Sequence, residues 1–318
     1  MPRRIRTVKP QPKAKKAARK SAVVHKNPTT NKMREIARRK IFVANEPPVD
    51  AGQAVMDTMR WIPKKNPVTI FLSGGIDSHI CLFAALELGL NINIASFTLD
   101  THESSDFKSA KHAADIYNLP FHPIYLKSDL EHLKKWVLFA VNKLKQTSKA
   151  SIECAWPLYM GLRAMEGKTK HVVFGLGGDS YFLMAKSQSM HCKDLVVEAR
   201  RKSFRRVLDQ NDLIKREAFK RGMFAHLPFF DDGRMYAELQ FETDYAKINS
   251  PQKSFLNLAF PEHRKRCKVR GHQNFQLGDT GISDIFAKRL LDSDWNPGGK
   301  FKSVVGVYNR VVRGEITK

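Results

Sequence analysis

Cysteine is scarce: the 318 residues hold four, Cys81, Cys154, Cys192 and Cys267. None stands in the close C-x-x-C pairing of a zinc site or redox dithiol, so structural thiols in a reducing compartment are expected. No run approaches the roughly 18 to 20 consecutive apolar residues of a membrane helix, and no apolar core follows the basic N-terminus. A soluble, cytoplasmic chain with no membrane partner is the expectation. Acids are also few, 31 Asp and Glu against 55 Lys and Arg, for a net charge of +24. Residues 1–40 carry 15 Lys and Arg and the single acid Glu35, which leaves about +10 on the other 278 residues. Such a balance favours an anionic partner or substrate.

The first 45 residues mix proline with basic side chains and have too few large apolar groups to bury a core, so they read as a disordered basic arm. Counterion release from nucleic-acid phosphates is one use for such an arm; a solubilising tail or an address signal is another. Residues 30–43 have the pattern of a short helix, and a second helix is expected after Pro47 and Pro48. From residue 46 the pattern alternates. Short β-rich runs at 68–72, 92–99, 121–126 and 171–176 are separated by helix-length segments at 78–88, 104–118, 129–146 and 155–166, with Ser128 and Asp129 as candidate caps. This spacing predicts an α/β core over 46–190, a parallel sheet with helices on both faces. Residues 191–318 read as a helical C-terminal part of the same domain, including helices in "DLVVEARRKSFRRVLD" and "QKSFLNLAFPEHRKR".

The densest chemistry is "FLSGGIDS", residues 71–78. A strand ending at Leu72 and a helix beginning after Asp77 put Ser73, Gly74, Gly75 and Ser78 at the carboxyl end of a parallel strand, where open α/β sheets place ligands. Two glycines let backbone N–H groups approach an anion, the serines add hydroxyls, and the helix start adds a positive dipole end. Asp77 would be repelled by phosphates unless a cation is also present, which implies magnesium. A glycine turn capped by serine or aspartate remains the simpler alternative. The lysine of G-x-x-x-x-G-K-[ST] and the G-x-G-x-x-G pattern are both missing.

Ser73, Gly74, Gly75, Asp77 and Ser78 together resemble the SGGxDS signature of the PP-loop ATP pyrophosphatases. A second segment, "VVFGLGGDSYF" at 172–182, resembles the "SGEGADELF" segment of the asparagine synthetase family. Further likenesses follow in order from about residue 50 to 275. "FTLDTHESSDFKSAKHAADIYNLPFHPIYL" is similar to a strand followed by "sD...A..vA..lg..H", "MFAHLPFFDD" to "EvR.PFLD", and "SPQKSFLNLAFPEHRKRCKVRGHQNF" to "K..lR.a....P......K.gF". The chain thus resembles the synthetase domain of that family, with a PP-loop (HUP-like) fold.

The resemblance implies an ATP-dependent ligase. A carboxylate is adenylated with release of pyrophosphate, and an amine or ammonia then displaces AMP. It further implies that Asp77 and Asp179 hold magnesium and that Gly177 and Gly178 line the nucleotide with the first loop. Lys253 would neutralise phosphate charge, and Leu72 and Phe97 would lie near the adenine. Two departures stand out. Position 2 is proline, without the cysteine of a glutaminase domain, so a separate amidotransferase or another amine donor is implied. Leu176 occupies the place of the glutamate in "SGEGADE", and an apolar side chain cannot hold an ammonium-like nucleophile, which points away from aspartate and ammonia as the substrate pair.

The basic clusters 198–206, 214–221 and 262–272 are either solvated helix faces or a surface for a polyanion. Two other readings therefore stand beside the ligase: a PP-loop enzyme that adenylates a nucleic-acid base, and a nucleic-acid-associated protein with a degenerate ATP site. The histidines show no metal-ligand spacing.

Overall fold

The structure is a computed structural model and describes residues 51–178, 208, 210–231, 254–270 and 279–318. The chain divides into Met1–Phe42 and Val43–Lys318, and only the second unit includes described residues. The basic arm, the helix expected at 30–43, the cluster 198–206 and the helix expected in 194–209 (Leu208 apart) lie outside the description.

Helix α1 (Ala51–Met59) leads into β1 (Pro67–Phe71), α2 (Ile76–Glu87), β2 (Asn91–Leu99), α3 (Ser105–Tyr117), β3 (Phe121–Leu126), α4 (Leu130–Asn142), α5 (Lys149–Met165) and β4 (His171–Phe174). A helical stretch at 210–219 precedes β5 (Phe224–His226), and the short α6 (Pro228–Asp231), α7 (Ser254–Leu258) and α8 (Pro261–Arg266) follow. The chain closes with α9 (Ile282–Leu291) and α10 (Val304–Val312). All five strands are parallel, in the order β3-β2-β1-β4-β5. Consecutive strands step outward from β1 to β3, and the chain then crosses to the other side of β1, so a topological switch point falls between β1 and β4.

Alternate residues of each strand feed opposite layers, as a pleated strand requires. Val68, Ile70, Leu72, Ile92, Ile94 and Val173 pack with α1, α2 and α3 on one face. Phe71, Ala95, Leu99, Leu126, Val172 and Phe174 pack with α4, α5, α9 and α10 on the other. Phe71 and Phe174 stack across the β1–β4 seam with ring centroids 4.4 Å apart. Because both faces are buried, these strands read as apolar runs rather than as alternating ones.

Three details differ from the sequence reading. Helix α5 begins at Lys149, six residues before the expected start. Ser148 caps it by accepting from Ser151 N–H, the Ser151 side chain reciprocates, and Pro157 lies inside the helix. Lys149 then pairs at 2.6 Å with Glu153, a carboxylate with no solvent exposure. In "QKSFLNLAFPEHRKR" the expected single helix is two, interrupted where Phe260 adopts φ 50° and Pro261 opens the second. Strand β5 was not anticipated at all. The caps on α4 divide their work: Asp129 accepts from His132 N–H, while Ser128 donates its hydroxyl to Asp100.

Candidate active site

The phosphate-loop candidate runs from the end of β1 to the first turn of α2, at the switch point. Its polar groups close on one another. Ser73 N–H donates to Ser78 Oγ at 3.1 Å, Gly75 N–H donates to Ser73 Oγ at 3.3 Å, and the two hydroxyls lie 3.1 Å apart. Gly75 is the N-cap of α2 and makes no side-chain cap bond, because it has no side chain to offer. Its carbonyl accepts from His79 Nδ1, 3.0 Å away. Burial drives His79 down from 6.5 to about 4, against the pull of that carbonyl, so the ring is neutral with its proton on Nδ1.

The second glycine segment follows β4, the immediate neighbour of β1, and lies directly on the first loop. A Cβ placed on Gly175 would stand 2.5 Å from Ser78 N and 2.6 Å from the Asp77 carbonyl carbon, and one on Gly178 would stand 2.5 Å from Asp77 Oδ1. Only glycine permits this approach. Gly177, at φ +96°, lies against the ring of Phe230 in α6. Asp77 is thus in the first turn of α2 with its carboxylate against the backbone of the second loop.

Sequence reasoning overlooked the residues on the opposite side of the loop. Asp106 Oδ1 accepts from Gly74 N–H at 3.1 Å and from Arg270 Nη1 at 3.2 Å, and Arg270 N–H donates to the Gly74 carbonyl at 2.9 Å. Asp279 lies 4.0 Å from the same guanidinium and accepts from the Ser105 N–H at 2.6 Å and from its hydroxyl. Burial pushes the Asp106 carboxyl up, opposed by Arg270 and the Gly74 N–H and assisted by Asp279. Asp279 shifts the other way: despite its burial, the Ser105 bonds, Arg270 and His102 hold it down. The available signal was positional. Asp106 stands at the "sD" of its matched segment, and Arg270 closes Lys268-Val269-Arg270 in the matched basic stretch.

The remaining expected residues distribute unevenly. Leu72 is buried in one apolar layer and Phe97 lies against the other, so the two do not share a face. Leu176 is partly buried against the second layer. Asp179 and Lys253 lie outside the described residues. Cys81, Cys154 and Cys267 form no disulfide; burial pushes the Cys81 thiol well up, which makes it unreactive. Among the described residues no cluster of three or more His, Cys, Asp or Glu could hold a metal ion, and no helix is long and apolar enough to cross a membrane.

In the basic cluster 214–221, Glu217 takes Lys220 at 2.7 Å and Arg221 at 3.0 Å, Lys215 pairs with Asp231, and Arg221 stacks on Tyr159. In the cluster 262–272, Lys265 pairs with Glu262, His263 with Glu87, and Arg266 lies over Tyr117.

A family model described as asparagine synthase matches residues 53–269, about two thirds of the chain. The chain belongs to the asparagine synthase family. Membership identifies it as an ATP-utilising PP-loop enzyme, with the synthetase part of that family and no glutaminase part in the match. No curated protein sequence gives a significant match. Among solved structures, the chain is similar to the U34-tRNA thiolase NcsA from Methanococcus maripaludis with its 4Fe-4S cluster, at 13% identity and a TM-score of 0.37, covering 83% of this chain and 75% of that one. No assignment rests on a likeness at that level.

Proposed function

We propose that this member of the asparagine synthase family adenylates a carboxylate and passes the acyl group to an amine. A carboxylate oxygen attacks the α-phosphorus of ATP, and the bond from that phosphorus to the bridging oxygen breaks, releasing pyrophosphate. The amine nitrogen then attacks the acyl carbon, AMP departs, and the amine gives up a proton to solvent. The observation that carries this reading is the seating of Gly175 and Gly178 on Asp77 and Ser78. It sets two strand-end loops back to back at a switch point, as a nucleotide site there requires.

Within that reading each group has a task. The loop from Ser73 to Ser78 and the N-terminus of α2 receive the phosphates, since backbone N–H groups and the helix dipole both favour negative charge. Asp77 fits a divalent cation: Gly178 leaves room for its carboxylate against the second loop, where a Cβ would stand 2.5 Å from Oδ1, and Asp179 is the next residue in sequence. These two acids would hold magnesium, which supplies charge neutralisation on the phosphates. Arg270, at the loop, is the described cation able to stabilise departing pyrophosphate; Lys253 is the other candidate. Leu176 offers neither a charge nor a proton, which favours an acceptor other than aspartate. The amine comes from solution, from the substrate or from a separate amidotransferase, and the basic arm is a candidate nucleic-acid contact.

The test is pyrophosphate release with ATP and magnesium against panels of carboxylates, amines and nucleic acids, in wild type and Asp77→Ala. Release that depends on a carboxylate and falls at least about a hundredfold in the variant is expected, since preorganised electrostatic groups at a reacting centre are worth that much. Release that depends on DNA or RNA would instead move the acceptor to a nucleic-acid base. Absence of pyrophosphate under every condition, or an Asp77→Ala variant as active as wild type, would sink the enzymatic reading.

A further inference from the structure

The loop from Ser73 to Ser78 holds an anion that belongs to the protein itself. The Asp106 carboxylate accepts from Gly74 N–H at 3.1 Å, in the loop whose backbone would otherwise face a phosphate, and it also pairs at 3.2 Å with Arg270. Asp106 approaches so closely that a Cβ on Gly74 would stand 2.6 Å from its Oδ1 and 2.8 Å from Arg270 Cδ. Both side chains are mostly covered, 20% exposed for Asp106 and 28% for Arg270. Asp106 opens from the first turn of α3, whose N-cap Ser104 accepts from Phe107 N–H, and Ser105 beside it is tied to Asp279. The carboxylate is therefore presented to the loop by a fixed helix start rather than by a wandering side chain.

We infer that Asp106 is an internal competitor for the phosphate site, a latch that occupies the Gly74 N–H and holds Arg270 until a phosphate displaces it. The inference rests on the ATP reading above. Like charges cannot share one donor at this range, so a phosphate oxygen at Gly74 N–H must expel the carboxylate. The same expulsion frees the guanidinium, whose fork is suited to bidentate phosphate contact. Arg270 remains within reach throughout, because its own N–H is bonded to the Gly74 carbonyl. On departure of pyrophosphate the carboxylate returns to both donors and offsets part of the product's affinity. Asp106 is thus a positioning residue: it acts through Arg270 and Gly74, and it opposes binding instead of adding to it.

That sign makes the test decisive, because loss of an ordinary supporting residue weakens a site. Binding of magnesium pyrophosphate and magnesium ATP to the full chain is measured by calorimetry for wild type, Asp106→Asn and Arg270→Gln, with thermal unfolding of each. We expect Asp106→Asn to bind pyrophosphate about tenfold more tightly, the release of one charge-assisted contact, and Arg270→Gln to bind about tenfold more weakly. A folded Asp106→Asn that binds equally or less well overturns the latch while leaving ATP use standing. Wild type that binds neither ligand overturns both. Should Asp106→Asn fail to fold, a structure of wild type with magnesium pyrophosphate decides: Arg270 on the phosphate and Gly74 N–H released from Asp106 support the latch, and an unchanged Asp106–Arg270 pair refutes it.

Discussion

Replacing Gly175 by alanine tests the seam between the two glycine loops. The added methyl would lie 2.5 Å from Ser78 N, 2.6 Å from the Asp77 carbonyl carbon and 2.7 Å from Ser78 Cα. Carbon contacts settle at about 3.5–4.0 Å, so roughly 1 Å must open between them. Every atom struck is backbone, and neither side yields easily. One side continues β4, whose Phe174 pairs with Phe71 of β1 and stacks on it at 4.4 Å. The other is the first turn of α2, with the buried His79 and Ile80 directly behind it. Overpacking of this kind costs about 1–3 kcal/mol, and at roughly 2–4 °C per kcal/mol for a domain of this size the melting temperature falls by about 2–12 °C. Activity should suffer more. A displacement of about 1 Å at a reacting centre costs on the order of a hundredfold in rate. Gly167→Ala is the control: Gly167 has φ +75° and open space around it, so alanine there adds backbone strain of about 1–2 kcal/mol and no clash. Thermal unfolding and pyrophosphate release on both variants separate the effects. Equal losses of activity in the two variants, or a Gly175→Ala protein with wild-type rate, would refute the claim that these loops form one site.

Two further perturbations address stability. His79, buried with a pKa near 4 against 6.5 when unfolded, takes up a proton in the unfolded chain first. Its contribution to stability is complete above pH 6.5 and is lost as pH falls toward 4, about 2 kcal/mol of it between pH 7 and 5. Denaturant unfolding at those two pH values should therefore show a flatter dependence for His79→Leu by about that amount, and identical slopes would contradict the neutral buried ring. Tyr308→Phe removes the hydroxyl that donates at 3.0 Å to Glu153 Oε1. Glu153 keeps Lys149 and Ser283 but loses a donor within the apolar layer, so stability should fall by about 1.5–3 kcal/mol; an unchanged unfolding midpoint would show that water replaces the hydroxyl.

Local chemistry made some of this legible. "SGGIDS" carries its turn, its hydroxyls and its acid within six residues, and the strands flanking the seam are apolar because both faces are covered. Strand β5 escaped notice because "FAH" is three residues with an exposed Phe224, and its partner among the described residues is β4, some fifty residues earlier. The first turn of α5 escaped because its anchor, Glu153, is satisfied by Ser283 and Tyr308, 130 and 155 positions away. Asp106 and Arg270 are separated by 164 residues, and no periodicity signals an ion pair at that distance.

The resemblance in chain order becomes spatial through one topological fact. With β2 and β3 on one side of β1 and β4 and β5 on the other, the loops leaving β1 and β4 are neighbours although about a hundred residues separate them. The segment after β2 supplies Asp106 to the near side of the first loop, and the segment after α8 supplies Arg270 to the same place. Phe230, after β5, closes on Gly177 from the far side. Four separately matched segments therefore meet at Gly74 to Ser78, and the fifth reaches the second loop at Gly177, which a shared turn motif alone would not require. Their meeting also assigns the glycines different tasks. Gly74 accommodates side chains that can move away, Asp106 and Arg270, and so tolerates exchange with a ligand. Gly175 accommodates backbone that cannot move, and so fixes the seam on which that exchange takes place.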